Sequence, residues 1–185
     1  KGSTKRRRFT GIETFKGRPF YYFAYGAACA QVAIDTLTGE MKVERVDLLH
    51  DVGSSINPVL DKGQVEGAFI QGMGWLTGEE LVWNGKGVLA THAPSTYKIP
   101  TAADVPETFN VWLVENSPNR EDTIYRSKAV GEPPFMLAFA VHHAIADAVR
   151  AVSGYREAVD LAAPATAEAI LRAVNVANGR TGANP

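Results

Sequence analysis

Adjacent prolines at positions 133 and 134 constrain the fold of this 185-residue sequence more than any other feature. Neither ring fits a helix interior, because each removes an N–H donor and crowds the carbonyl four residues back. Both fit a first helical turn, where those donors have no partner anyway. Behind them Leu137, Val141, Ile145, Ala148 and Val152 recur at helical spacing, and the spacing predicts a buried helix over 133–152. In front stands a carboxylate, Glu132, between Gly131 and Pro133. As a cap, its charge would meet the positive helix end, an interaction of about 0.3–1 kcal/mol. As a general base, it would gain from a rigid corner that holds it in one place. The local residues leave both readings open.

The rest of the chain supplies strands and two more helices. "PFYYFAYGAACAQVAID" and "MKVERVDLLHDVG" read as two antiparallel strands within 20–52, joined at a turn around Gly39. Inward positions in the second strand run Met41, Val43 and then, after a shift, Val46 and Leu48. A helix is predicted from Asn57-Pro58, with Leu60, Val65, Phe69, Met73 and Leu76 as its apolar stripe. Gly63, Gly67, Gly72 and Gly74 interrupt it, each at roughly 1 kcal/mol relative to alanine. Such glycines imply close approach by another helix or a ligand. A hairpin is expected around Asn84-Gly85, a Pro-punctuated loop over 93–109, a strand at "FNVWLVEN" and a final helix over 165–178. The sum is an α+β fold, a mixed or antiparallel sheet with long helices packed on it. Residues 1–18 form a basic arm or the remnant of upstream chain, 19–178 the folded part, and 179–185 a flexible tail.

Several chemistries are disfavoured. His142 and His143 are adjacent, so on a helix they point about 100° apart and cannot share a metal. His50 and His92 stand alone and read as packing or surface residues. Glu79 and Glu80 read as solvated surface near a turn. The glycine spacing matches neither a P-loop nor a dinucleotide fingerprint. A net charge of −1 gives no reason to expect nucleic acid, and the basic "KGSTKRRRF" lacks interleaved aromatics. No apolar run is expected to reach the ~20 residues of a bilayer span. The lone Cys29 fits a reducing, cytoplasmic compartment and cannot supply the roughly four thiolates of an iron–sulfur cluster. The chain opens on Lys1 rather than Met, as a fragment, a processed product or a tagged chain would.

Three segments carry a resemblance. "SKAVGEPP" before an apolar helix, "DVGSSINPVLDKGQVEGAFIQGMGW" and "APSTYKIP" together resemble the C-terminal end of the molybdenum-cofactor subunit of the xanthine dehydrogenase family. The match runs from about Tyr22 to the last helix, in the family's order. It implies a molybdenum–molybdopterin centre that hydroxylates a carbon beside a ring nitrogen, converting hypoxanthine and xanthine to urate. It places the family's base on Glu132, which would deprotonate a Mo–OH group. It places a polar cofactor contact on Gln64, with Gly63 and Gly67 letting the pterin or a neighbouring segment come close. No residue of this chain is implied to ligate the metal.

The same resemblance implies what lies elsewhere. Purine-orienting and purine-sandwiching residues, most pterin loops, the iron–sulfur clusters and FAD belong to the rest of the subunit or to partner subunits, so a hetero-oligomer is expected. The isolated chain should neither hold the cofactor tightly nor turn over substrate. Two alternatives stand beside this reading. One is another molybdenum hydroxylase of the aldehyde oxidase type. The other is a non-catalytic assembly module in which Glu132 only caps its helix.

Overall fold

The computed structural model describes residues 20–180. The expected arm over 1–18 and most of the expected tail therefore lie outside the described residues. Strand β1 (Gly26–Ile34) and strand β2 (Met41–His50) form the predicted antiparallel hairpin. Its turn closes with Gly39 N–H donating to Asp35 O at 2.8 Å. Gly39 has φ +77°, and a Cβ there would collide with Ala167 O. The turn needs glycine for both reasons.

The shift read within β2 is a β-bulge. Gln31 pairs with Arg45 but Val32 pairs with Val43, which leaves Glu44 as the extra residue. An inserted residue flips the alternation, and so Val43 and Val46, three apart, both face the core. Strand β3 (Thr108–Leu113) pairs with β2 in parallel, giving a mixed sheet in the order β1-β2-β3. Parallel pairing requires a long crossover, and helix α1 (Pro58–Thr77) lies within it. Asn110 secures the register by donating from Nδ2 to Asp47 Oδ1 at 2.8 Å. Hydrogen bonds from Arg45 and then Asn110 hold the Asp47 carboxyl below the usual carboxylate range. The α+β expectation is borne out.

Helix α1 starts as predicted, with Asn57 Oδ1 accepting from the Val59 and Leu60 amides. Its buried stripe is Val65, Ala68, Phe69 and Met73, whereas Leu60 is exposed. Leu60 therefore does not belong to the core stripe as expected. It sits in the first turn, before the helix reaches the sheet. Phe69 meets Phe109 of β3 at 5.4 Å between ring centroids. The hairpin expected at Asn84-Gly85 shrinks to one bridge, Trp83 with Leu89. Its loop is longer, from Asn84 to Val88, and Gly87 rather than Gly85 takes positive φ.

The largest departure lies behind the prolines. Pro133–Ala138 is a 3₁₀ segment, and regular helix α2 begins only at Phe139, running to Val152. The 3₁₀ segment presses on α1, where a Cβ at Gly72 would lie 2.6 Å from Phe135 O and 3.0 Å from Ala138 Cβ. Trp75 and Phe135 meet with ring centroids 4.6 Å apart and planes tilted by 56°. Leu137, Val141, Ile145 and Val149 are buried and continue the core, with Val149 in the place expected for Ala148. Helix α3 (Ala167–Ala177) adds Ile170, Ala173 and Val174, its start capped by Thr166.

Pro133–Val152 does reach bilayer length, 20 residues with a mean hydropathy of 1.4, contrary to expectation. In the fold it packs against β1, α1 and α3, and Asp147 and Arg150 are exposed on it. It is a core element of this domain.

Candidate functional site

Glu132 lies on the surface, and its side chain makes no hydrogen bond or ion pair among the described residues. Only its carbonyl is engaged, accepting from Phe135 N–H at 3.0 Å. A helix dipole acts over about the first turn, and here a whole 3₁₀ segment separates the carboxylate from α2. Glu132 therefore occupies the N-cap position of the 3₁₀ segment without a side-chain cap hydrogen bond.

Its backbone, by contrast, is held on both sides. Pro134 is buried behind it. Ahead of it, Val130 packs against the core, and a Cβ at Gly131 would lie 3.9 Å from Gln64 Oε1. The fold thus brings Gln64, from the second turn of α1, beside the Gly131-Glu132 corner, two segments distant in sequence. Gln64 is exposed like Glu132. Together they offer an amide and a free carboxylate to whatever lies against this surface.

The four α1 glycines separate into two kinds. Gly72 admits the 3₁₀ segment. Gly74 admits Glu79 and Pro100, since a Cβ there would collide with Glu79 Oε1 and lie 2.5 Å from Pro100 Cδ. Glu79 is not the solvated carboxylate expected from sequence. It is half-buried and accepts from Tyr97 Oη at 2.5 Å, fixing the loop of the "APSTYKIP" motif on α1. Glu80 is exposed, as expected. Gly63 and Gly67 have nothing within 4 Å of an added Cβ. They line an open depression with Glu66, Gln71, Trp75 and Tyr97. Nothing inside the described fold requires glycine at these two positions.

Sequence reasoning missed the ion pair behind the corner. Lys128 Nζ lies 2.6 Å from Asp51 Oδ2, with both side chains less than a tenth exposed. Both residues lie within the quoted motifs, but their pairing across 77 positions is invisible without the fold. Among the described residues no group of three His, Cys, Asp or Glu could hold a metal ion.

The described residues thus form an α+β domain with one glycine-opened helix face and an exposed carboxylate beside an amide. The same fold occurs in the reconstituted CO dehydrogenase from Oligotropha carboxidovorans, with a TM-score of 0.73 at 22% identity, over 85% of this chain and 19% of that one. The model of the molybdopterin cofactor-binding domain family matches residues 3–106, and the chain belongs to that family. Gly63 and Gln64 fall within the matched span, Glu132 beyond it. Xanthine dehydrogenase/oxidase of Mus musculus is 50% identical over 168 residues, 88% of this chain and 12% of that protein. Aldehyde oxidase 2 of Mus musculus is 47% identical over 165 residues, with the same coverage. The chain thus spans 12% of the length of these relatives. The resemblance carried by the three motifs, to a molybdopterin-binding segment of xanthine dehydrogenase type, is borne out.

Proposed function

We propose that this segment, over 19–178, forms one wall of the catalytic centre of a xanthine dehydrogenase-type molybdenum hydroxylase. Glu132 is its general base and Gln64 a polar contact to the cofactor. When bound, the molybdenum–molybdopterin group supplies the oxidative chemistry that hydroxylates a carbon beside a ring nitrogen of a purine. The chain's own residues bind, orient and move a proton. Glu132 Oε takes up a proton at the reacting centre, and its immobile backbone keeps the carboxylate in reach. The Gln64 amide offers a donor and an acceptor beside it. Gly63, lacking a side chain, lets the pterin or the segment that carries it approach α1. The observation that supports this most is the carboxylate with a pinned backbone and no internal partner.

Hypoxanthine and xanthine are the proposed substrates, with urate as product. Iron–sulfur clusters and FAD sit on other domains or subunits of a cytoplasmic hetero-oligomer. The likeness to aldehyde oxidase 2 favours a second reading, in which the same residues serve an aldehyde or N-heterocycle. The test is Glu132→Gln in the full-length, cofactor-loaded protein. Turnover should fall by about 10²–10⁴-fold, the usual contribution of a positioned base, with molybdenum content unchanged. Loss of molybdenum in step with activity would make Glu132 a structural residue and leave the assembly-module reading standing.

A further inference from the structure

The pair Asp51–Lys128 has more contacts than an ion pair needs. Lys128 Nζ donates to Asp51 Oδ2 at 2.6 Å and to Phe23 O at 2.9 Å, and stands 5.4 Å from the centre of the Tyr25 ring. Asp51 Oδ1 accepts from Gly53 N–H at 2.8 Å, and Oδ2 accepts from Ser117 Oγ at 3.3 Å. The backbone is fastened at the same place. Lys128 N–H donates to Val52 O at 2.8 Å, and Ser127 bridges Gly53. One residue further, Ala129 N–H donates to Tyr22 Oη at 2.9 Å. Gly53 has φ +67°, and a Cβ there would lie 2.5 Å from Arg126 O. The strand end and the loop that leads to Glu132 are thus in backbone contact.

From this arrangement we infer that Asp51 and Lys128 are positioning residues, a buried clamp that sets where the Glu132 carboxylate stands. Buried ion pairs are often no more stabilising than apolar residues of the same volume. Their geometry, however, is singular. The Lys128 ammonium is directed at once to Asp51 Oδ2 and Phe23 O, and Asp51 in turn accepts from Gly53 N–H and Ser117 Oγ. The pair is thus satisfied in one placement, whereas apolar side chains can slide. Only Ala129, Val130 and Gly131 separate Lys128 from Glu132. With an extended reach of at most about 3.5 Å per residue, a shift of the clamp passes to the corner with little slack. Pro134 fixes the other side. The clamp therefore acts on an otherwise unattached carboxylate through backbone alone.

The inference rests on the reading of Glu132 as base, and the experiment keeps the two apart. It compares Lys128→Met, the neutral pair Asp51→Asn/Lys128→Met and Glu132→Gln in the full-length, cofactor-loaded protein. In the neutral pair, the amide oxygen introduced at position 51 can still accept from Gly53 N–H, and the amide NH2 can donate to Ser117 Oγ. That double variant is therefore expected to melt close to the native temperature even where Lys128→Met alone fails to fold. Molybdenum content, kcat, KM and amide hydrogen exchange over 128–135 are measured. The clamp predicts that the neutral pair keeps its molybdenum and its KM but loses about 10²-fold in kcat, the penalty of a misplacement near 1 Å. It also predicts that the Ala129 and Phe135 amides exchange at least about tenfold faster, as expected of a locally loosened segment. Native kcat in a neutral pair that melts normally would overturn it. Should Glu132→Gln keep native turnover, the proposed function fails, and the exchange rates alone then decide the clamp, with unchanged rates overturning it.

Discussion

His50, at the end of β2, is 1% exposed, and neither ring nitrogen has a hydrogen-bond partner among the described residues. Burial holds its pKa below the ordinary value of 6.5. The Asp51 charge opposes that shift and the Lys128 charge adds to it. The unfolded chain therefore takes up a proton near pH 6.5 that the folded chain refuses. Stability is complete above that pH and falls as pH drops toward the folded pKa, by at most about 1.4 kcal/mol per unit for one proton. His50→Met, an adaptable apolar filler, should remove this share of the acid sensitivity. It should also raise stability at neutral pH by about 1 kcal/mol or more, since no polar atom is left unpaired. Melting curves at pH 7 and about pH 5.5, on either side of the free imidazole value, check it. Equal acid sensitivity in both proteins would contradict the assignment. In the sequence this histidine was indistinguishable from His92, because its burial depends on the bulged register of β2.

At the scale of elements, α1 holds the clearest contrast. Its four glycines look alike in sequence, each a roughly 1 kcal/mol weakening of the helix. The fold divides them, and substitution should do the same. Gly72→Ala drives a Cβ toward Phe135 O, only 2.6 Å away, and should lower stability by about 1–3 kcal/mol, as overpacking does. Gly67→Ala meets nothing and should leave stability unchanged or raise it by up to about 1 kcal/mol. If the open depression faces the cofactor or the chain that carries it, Gly67→Ala also lowers molybdenum content in the full-length protein. Thermal melts paired with metal analysis separate these effects, and a fully loaded Gly67→Ala protein would argue that the depression faces only solvent. Much of the architecture was legible because it rests on local chemistry. Asn57-Pro58 starts α1, Gly39 closes the hairpin, and the broken alternation from Val43 to Val46 announces the bulge. The parallel pairing of β3 was not legible, since orientation depends on a crossover rather than on the strand's own residues. Nor was the 3₁₀ segment, whose tight turns depend on its contact with Gly72.

Taken whole, the described residues form a small mixed sheet and three α-helices whose most distinctive groups are exposed. Glu132, Gln64, Gly63 and Gly67 have no task inside the described fold, while the pieces behind them are firmly held. The motifs disclosed this surface because they are short and contiguous. The clamp stayed hidden because its two members are 77 residues apart. These features support the proposed role as a wall, and the chain belongs to the molybdopterin cofactor-binding domain family.

On the proposed function, the Glu132 carboxylate, without a side-chain partner among the described residues, meets the molybdenum group of the loaded protein. A crystal structure of the loaded full-length protein settles this in a single distance. We predict the residue-132 carboxylate within about 3.2 Å of the molybdenum's ligand shell, ordinary hydrogen-bond reach, with the Gln64 amide on the same side. A carboxylate facing bulk water, with the metal beyond contact, would contradict the account.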